Sequence, residues 1–260
     1  MKPTDCTQSI AIDYSEETST TECLGSAVKK TNVVLVGEDT PSTLYVISSC
    51  LKFDNHAVET ATDGEEIVNK ALKIKPDIIM LDIMLPGCNG LNLISSIKGP
   101  LPDTKVSIMS VIDDKKVIQK AINLGASDYL IKPVCPEMLT HKVNLLAGRF
   151  DENIEGFRPC NLKIMLRGKS SIISGMITMA SPYMLKIHTT QKPRVDQIYR
   201  FRSIPLNKIM ERKGDLFARV IEEKDGCAYL EMLAITSQES RKLKMFITSE
   251  QRFSDSSFFN

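Results

Sequence analysis

The sequence predicts an α/β chain, in which a doubly wound sheet of five parallel strands precedes a smaller, mainly antiparallel β domain with a terminal helix. Two observations predict this order. Between residues 31 and 150, short apolar runs such as VVLV and DIIML alternate with helical stretches of about a dozen residues, as in βα units around a parallel sheet. After Arg149, six β-like runs follow one another before a single helix, a pattern typical of antiparallel structure.

Length and composition fit a globular protein of two modest domains. The chain has 260 residues, of which 42% are hydrophobic and 25% are charged, and one domain usually takes roughly 100 to 200 residues. Its 33 basic and 32 acidic residues leave a net charge of +1. So small a charge provides no overall field for a polyanion, which argues against a protein that coats nucleic acid in general.

The apolar runs and the cysteines bear on the cellular compartment of the protein. No run approaches the roughly 18 apolar residues of a membrane span, and residues 1–10 lack the basic and apolar pattern of a leader. The seven cysteines are scattered, odd in number and form no Cys-x-x-Cys pair. We therefore expect a cytoplasmic protein with reduced thiols and no membrane span.

The first domain follows a segment rich in Thr, Ser and Glu. Residues 1–30 show no sustained strand or helix period, so we expect a flexible N-terminal arm there and a first domain at residues 31–150. Apolar runs predict its strands near 32–37, 57–61, 77–82, 105–110 and 127–131. Its helices are expected to begin near Pro41, Asp63, Leu91, Asp113 and Pro136.

The second domain is placed at residues 151–260. Its β-like runs start at Leu162, Ser171, Tyr183, Ile198, Asp215 and Cys227. The terminal helix is expected to start at Thr236, because Thr236 and Glu239 have the Thr-x-x-Glu spacing of a capping box.

Positive charge concentrates on this second domain, which has 18 basic and 13 acidic residues. Six of the basic residues lie close in sequence, namely Arg194, Arg200, Arg202, Lys208, Arg212 and Lys213. Two interpretations stay open for this cluster, a solvated face and a site for an anionic ligand or partner.

Three acidic residues stand at predicted strand ends. Glu38 and Asp39 end the first strand, and Asp82 ends the third. Because ligands of a parallel sheet bind outside the carboxyl ends of its strands, these carboxylates are expected to converge. Close carboxylates repel one another unless a cation neutralises them, and Mg²⁺ is a hard cation that takes oxygen ligands.

Two further residues complete the same edge of the sheet. Ser110 ends the fourth strand and Lys132 the fifth, which adds a hydroxyl and an ammonium. A phosphoryl group on an Asp82 oxygen would be held by the metal, the ammonium and the hydroxyl. Such electrostatic stabilisation is what phosphoryl transfer requires.

This constellation resembles the CheY-like receiver domain of two-component response regulators, a flavodoxin-like fold, over about residues 32–148. The matching phrases are VLVGEDTP, LDIMLPGCNG with the phosphoacceptor Asp82, MSV with the hydroxyl residue Ser110, and YLIKP with the switch aromatic Tyr129. The resemblance implies a cis bond between Lys132 and Pro133. The metal ligands that it implies are Glu38, Asp39, Asp82 and the backbone carbonyl of Met84.

The resemblance also implies a phosphorelay mechanism. Asp82 would accept a phosphoryl group from a histidine kinase or a phosphotransfer protein, with Mg²⁺ offsetting the charge. The new phosphoryl group would draw in Ser110, and Tyr129 would rotate into the space that this movement vacates. Activated receivers often pair through their fourth and fifth helices, so a phosphorylation-dependent homodimer is a further hypothesis.

Two positions depart from the receiver pattern. Val111 follows the hydroxyl residue where the family commonly has a small residue, and we expect the larger side chain to slow phosphorylation or hydrolysis. Gly37 replaces the β-branched residue that is typical of the first strand, which costs packing but removes no chemistry.

The run from about Arg158 to Ile247 resembles a degenerate PilZ domain, a small six-stranded barrel with a helix that binds cyclic di-GMP in many bacteria. Phrases such as SGMITMASPYMLKI and DLFARVIEE carry the resemblance. In the ligand motifs, Arg158 and Ser181 match, and these are the candidate nucleotide-binding residues. Ile154 replaces the first arginine of the pair, and Met179 and Met184 replace two residues of the second motif.

We therefore expect a signalling protein and not an enzyme, whose receiver promotes only its own phosphorylation and dephosphorylation. Its PilZ-like output is expected to bind a protein partner or its own receiver rather than cyclic di-GMP, since a lost arginine removes strong hydrogen bonds. A cyclic di-GMP-binding effector is the alternative. A DNA-binding regulator and an Asp82-based phosphatase are further alternatives, although Met84 stands where such phosphatases need a second aspartate and nucleic acid is not the expected partner.

Overall fold

The first domain is the five-stranded parallel sheet with flanking helices that the sequence predicts. The computed structural model describes residues 31–150 and 157–249, and the expected arm at 1–30 lies outside them. Every helix begins within two residues of its expected start. The elements are β1 Val33–Gly37, α1 Pro41–Phe53, β2 Ala57–Ala61, α2 Gly64–Ile74, β3 Ile78–Asp82, α3 Gly90–Lys98, β4 Lys105–Ser110, α4 Lys115–Asn123, β5 Asp128–Ile131 and α5 Pro136–Leu146.

Local chemistry fixes where these helices begin. The side chains of Asp63, Asn89 and Asp114 each accept a backbone hydrogen bond from the first turn of α2, α3 and α4. In α1 and α5, a proline in the first turn replaces the side-chain cap, since its fixed φ suits that position.

The order β2-β1-β3-β4-β5 leaves β2 and β5 at the edges of the sheet. In β2, exposed and partly buried residues alternate up to the buried Ala61. In β5, all four residues are buried. An edge strand can be buried throughout only if another part of the chain covers it, and here the second domain does so.

The second domain is a closed barrel of six antiparallel strands, in the order β10-β11-β8-β7-β6-β9. Its first strand begins at Arg158, four residues before the expected Leu162. The capping box predicted for the last helix is present, with Thr236 and Glu239 bonding each other's backbone. The elements are β6 Arg158–Arg167, β7 Ile172–Ala180, β8 Met184–Thr189, β9 Ile198–Phe201, α6 Ile204–Met210, β10 Leu216–Lys224, β11 Cys227–Leu233 and α7 Ser237–Thr248.

Helix α6 was not predicted, because the sequence suggested a single helix in this domain. The β-like run that starts at Ile198, IYRFRS, predicts a strand as far as Ser203, but the strand ends at Phe201. The Ser203 hydroxyl accepts from the Leu206 amide, and Pro205 occupies the first turn. A serine cap followed by a proline is the signal that identifies this short helix.

Both domains share continuous apolar clusters. One cluster runs from Leu139 and Val143 of α5 to barrel residues such as Leu230. A second cluster, on the other face of the sheet, includes Tyr129 of β5 and Leu233 of β11. Within residues 31–150 and 157–249, no helix is both long and apolar enough to span a bilayer.

Candidate functional site

The ends of β1 and β3 bring three carboxylates together. The two strands are parallel neighbours, with Gly37 opposite Leu81, so the residues that follow lie side by side. One oxygen from each of Glu38, Asp39 and Asp82 lies within 4.8 Å of the others. Glu38 and Asp82 are buried, and Asp39 is exposed.

The ammonium of Lys132 lies between two of these carboxylates. Its Nζ is 2.5 Å from Oε2 of Glu38 and 2.5 Å from Oδ2 of Asp82. Partial burial lowers the pKa of this amine, but hydrogen bonds to Asp82 and Glu38 outweigh that effect and leave the pKa above its ordinary value. The bond from Lys132 to Pro133 is cis, as the resemblance implies.

The charges of this site fit a divalent cation. Three carboxylates and one ammonium sum to a charge of −2, in a pocket where Glu38 and Asp82 are largely withdrawn from water. Hard oxygen donors without a nearby histidine or thiolate in the cluster are a donor set suited to Mg²⁺. The residues present therefore fit the metal that the sequence suggested.

Met84 contacts the carboxylate of Asp82 through its backbone amide. Its amide donates to Oδ1 of Asp82 at 2.8 Å, while its side chain is 61% exposed. Each carboxylate oxygen of Asp82 thus has a partner, Met84 on one side and Lys132 on the other. The role of the Met84 carbonyl as a metal ligand stays a prediction.

Ser110 and Tyr129 meet at one loop. The buried Ser110 hydroxyl accepts from the Ile112 amide at 3.1 Å, and the Tyr129 hydroxyl donates to the Ile112 carbonyl at 2.7 Å. Burial raises the pKa of Tyr129, although a hydrogen bond with Ser110 opposes the rise. The Tyr129 side chain is buried, and its rotation on phosphorylation stays a prediction.

The structure gives a reason for one departure from the receiver pattern. A Cβ on Gly37 would lie 2.2 Å from Cδ1 of Ile67 in α2, so the glycine leaves room for that side chain. Val111, the other departure, follows Ser110 and is 68% exposed. Its expected effect on phosphoryl turnover stays a prediction.

A buried network of charges, missed by the sequence analysis, joins the two domains. Lys142 of α5 lies 3.3 Å from Asp128 of β5 and 2.9 Å from Glu231 of β11. Arg219 of β10 lies 2.7 Å from Glu231. All four side chains are buried, and two positive charges balance two negative ones.

The network shifts the pKa values of its acids in opposite directions. Burial raises the pKa of Asp128, and attraction to Lys142 only partly compensates. Burial also raises the pKa of Glu231, but Lys142 and Arg219 outweigh it and leave the pKa below its ordinary value. The network is therefore centred on an ionised Glu231.

A second set of contacts lies where the barrel passes into α7. We call residues 234–239, from Ala234 to Glu239, the junction segment. The Ala234 amide donates to the Tyr129 carbonyl at 2.9 Å, and the Ser237 hydroxyl donates to the Pro133 carbonyl at 2.7 Å. The junction segment thus contacts two residues beside the acidic site.

The candidate nucleotide-binding residues lie at the first residue of β6 and directly after the last residue of β7. Arg158 is exposed and pairs with Ala180, next to Ser181. Ser181 is buried, and its hydroxyl accepts from the Met184 amide at 3.0 Å, which closes the turn before β8. Ile154 lies outside the described residues.

The basic cluster of the second domain is divided in the structure. Arg200 and Arg202 both pair with Asp215. Arg212 instead pairs with Glu239 of the junction segment, 3.1 Å away. Part of this cluster therefore has a structural role, which neither interpretation of the sequence had assigned.

Comparisons with known proteins point to one family for the first domain. The model of the "Response regulator receiver domain" family matches residues 34–144. Chemotaxis protein CheY of Thermotoga maritima is 34% identical over 84 residues, which cover 32% of this chain and 70% of the relative. The solved "BeF3 Activated DrrB Receiver Domain" is 28% identical and covers 45% of this chain and 97% of its own, with a TM-score of 0.43.

Another relative extends further along the chain. A cyclic di-GMP phosphodiesterase of Thermotoga maritima is 26% identical over 191 residues, which are 73% of this chain and 50% of that protein. The uncharacterized transcriptional regulatory protein YxjL of Bacillus subtilis is 34% identical over 103 residues, or 46% of its length. The chain thus spans about half the length of these two relatives.

Proposed function

The chain belongs to the response regulator receiver family, and on this premise we propose that Asp82 is a phosphoryl acceptor whose phosphorylation acts on the barrel. The observation that carries the proposal is the position of Asp82, buried within the carboxylate cluster and bonded by Lys132. In this proposal Glu38 and Asp39, with Asp82 and the Met84 carbonyl, hold Mg²⁺.

Each group has a defined part in the transfer. An Asp82 carboxylate oxygen forms a bond to phosphorus while the bond from phosphorus to the donor breaks, and the donor leaves with the electron pair. Mg²⁺ supplies charge neutralisation for the phosphoryl oxygens. Lys132 holds one of those oxygens by its ammonium, and the Ser110 hydroxyl turns toward another.

The phosphoryl donor is proposed to be a histidine kinase or a phosphotransfer protein. Receivers are signalling domains, and the catalysis proposed here is limited to phosphorylation and dephosphorylation of Asp82 itself. As an acceptor for such a donor, the protein would act in the cytoplasm. Its PilZ-like barrel is proposed to serve as the output and to bind a protein partner.

Phosphorylation with a small donor tests this proposal. The full chain, incubated with acetyl phosphate and Mg²⁺, should gain one phosphoryl group by mass spectrometry, at Asp82. Asp82→Asn should abolish the gain, while Asp103→Asn, a change at an exposed aspartate away from the cluster, should leave it intact. Labelling that persists in Asp82→Asn would refute the assignment.

A cyclic di-GMP effector is the second candidate. It is favoured by the relative named as a cyclic di-GMP phosphodiesterase and by the adjacency of Arg158 and Ser181. Calorimetric titration of cyclic di-GMP into the full chain, with and without beryllofluoride as a phosphoryl mimic, tests it. Micromolar binding that Arg158→Ala removes would support this candidate, and no heat would leave a protein-binding output. Chromatography of the same mixtures would reveal any hydrolysis.

Two other candidates have direct tests. A DNA-binding regulator would show a salt-dependent shift with duplex DNA. The homodimer through α4 and α5 would appear as a doubled mass in sedimentation with beryllofluoride. In the described part of the chain, however, α5 packs against the barrel and Lys115 of α4 bonds to it, which leads to the inference below.

A further inference from the structure

The chain's own barrel contacts the face of the receiver formed by α4, β5 and α5. Against it β5 and one side of α5 are buried, whereas Lys115 and Lys116 of α4 stay exposed. On α4, the Lys115 ammonium donates to the Lys213 carbonyl at 2.8 Å. On α5, the His141 ring stacks at a tilt on Tyr183, with 4.9 Å between centroids. At the buried edge strand β5, the Ala234 amide donates to the Tyr129 carbonyl.

The interface between the receiver and the barrel has the features of a fixed contact. Lys142 lies between Asp128 of the receiver and Glu231 of the barrel, Glu231 also pairs with Arg219, and all four side chains are buried. Losing one member of such a network leaves an uncompensated buried charge. The apolar clusters also continue without a break from receiver to barrel, unlike the polar, smaller interfaces of domains that move freely.

The junction segment is the part of this contact that lies beside the site. Its amide at Ala234 bonds to Tyr129, the switch aromatic, and its hydroxyl at Ser237 bonds to Pro133, which follows Lys132. A movement of Lys132 toward a phosphoryl group would therefore pull on the loop that Ser237 holds.

The junction segment is in turn tied to the rest of the barrel. Arg212 donates to the Ala234 carbonyl at 2.6 Å and to both oxygens of Glu239. Glu239 also accepts from the Thr236 amide in the capping box, which sets the start of α7. A displacement of the junction segment would therefore reach α7 and the end of α6.

We infer that the barrel is a permanent cap on β5 and α5, and that the phosphorylation state of Asp82 is read within the chain by the junction segment and α7. The signal leaves the receiver through this contact and not through a face released for dimerisation. The reading step rests on the proposed function, because it needs a phosphoryl group on Asp82; the cap does not.

Hydrogen exchange of the full chain tests both parts. In the untreated protein, peptides of α5 should be strongly protected, because the barrel covers them. With beryllofluoride and Mg²⁺, exchange should change both around Asp82 and in residues 234–248, and sedimentation should give a monomer throughout. Ser237→Ala should reduce the change in exchange of residues 234–248 by about twofold or more, and it should retain the change around Asp82.

The control is Ser96→Ala, which removes a hydroxyl that donates to the Asn92 carbonyl within α3, and it should behave as the parent protein. A response around Asp82 with none in residues 234–248 would overturn the reading role. A dimer formed with beryllofluoride, or rapid exchange of α5, would overturn the cap. Failure of the proposed function is distinct, since Asp82 would then take no phosphoryl group from acetyl phosphate while α5 stayed protected.

Discussion

The ammonium of Lys142 in the receiver lies 2.9 Å from a carboxylate oxygen of Glu231 in the barrel, and both side chains are buried. Charged residues are rarely buried to this degree unless they are paired. This pair therefore places a strong electrostatic constraint on the contact between the two domains.

Replacing Lys142 by methionine should destabilise the whole chain. The change leaves Glu231 and Asp128 with one positive partner for two carboxylates, and breaking a buried pair costs about 3 to 5 kcal/mol. Urea unfolding, followed by circular dichroism, gives the free energy of unfolding. Lys116→Met, at an exposed position of α4, should change that free energy by less than about 0.5 kcal/mol. Equal losses in the two variants would contradict the structural assignment.

His141 should make stability depend on pH. Burial lowers the pKa of this histidine to about 4, with nearby Glu231 opposing the shift and Lys142 adding to it. Above pH ~6.5 the side chain is neutral in both folded and unfolded chains. As the pH falls from about 6.5 to about 4, the unfolded chain gains a proton that the folded chain does not take up, so stability is lost.

The size of this effect is at most about 3 kcal/mol. In His141→Leu, the free energy of unfolding should fall less across that pH range. The leucine replaces the ring contact of His141 with Tyr183 only in part. The measurement is urea unfolding at a series of pH values for both proteins. Parallel pH profiles would show that His141 does not titrate as the structure indicates.

Val111→Ala should speed the loss of the phosphoryl group from Asp82. The valine side chain stands exposed beside Ser110, and a smaller residue there opens the approach of water. We expect a hydrolysis rate at least about threefold higher, which corresponds to roughly 0.7 kcal/mol in the barrier. The half-life of the phosphorylated protein measures this rate. Val195→Ala, at an exposed valine of the barrel, is the control, and an unchanged half-life in Val111→Ala would be evidence against the idea.

Gly90→Ala should disturb the loop that follows Asp82. A Cβ at this position would lie 2.6 Å from the Ile83 Cα and 2.8 Å from the Asp82 carbonyl oxygen, and backbone atoms have little room to shift. We expect a loss of about 1 to 3 kcal/mol in stability, with slower phosphorylation. At Gly99 the nearest atom would be 3.3 Å away, so Gly99→Ala serves as the control. A Gly90→Ala protein as stable as this control would refute the close approach.

Most of the receiver could be predicted from the sequence, because its strands are short apolar runs and its chemistry stands at their ends. Lys132 lies 94 positions from Glu38 and 50 positions from Asp82 in the sequence, yet the rule for parallel sheets brings the three residues together. No comparable rule predicts the strand order of the barrel from the sequence. Helix α6 was missed because its serine cap was assigned to a strand.

The contact between the domains was not predicted, although the sequence carries a signal for it. Lys142 lies on the apolar stripe of α5, where Met138 and Leu145 are buried. Glu231 and Arg219 likewise interrupt apolar runs in β11 and β10. A charge inside an apolar pattern indicates a buried partner, but which partner depends on how the domains dock, and a single pattern does not specify that.

The closure of the β5 edge also bears on aggregation. Exposed strand edges can pair with other chains, and barrels remove such edges by closing. Here the barrel is closed and β5 is buried, with one bond from Ala234, so within the described residues the exposed edge of the receiver sheet is β2. That strand has only five residues and carries Glu59 at its centre, features that discourage pairing with a second chain. The docking of the two domains thus also protects the folded protein against assembly into intermolecular sheets.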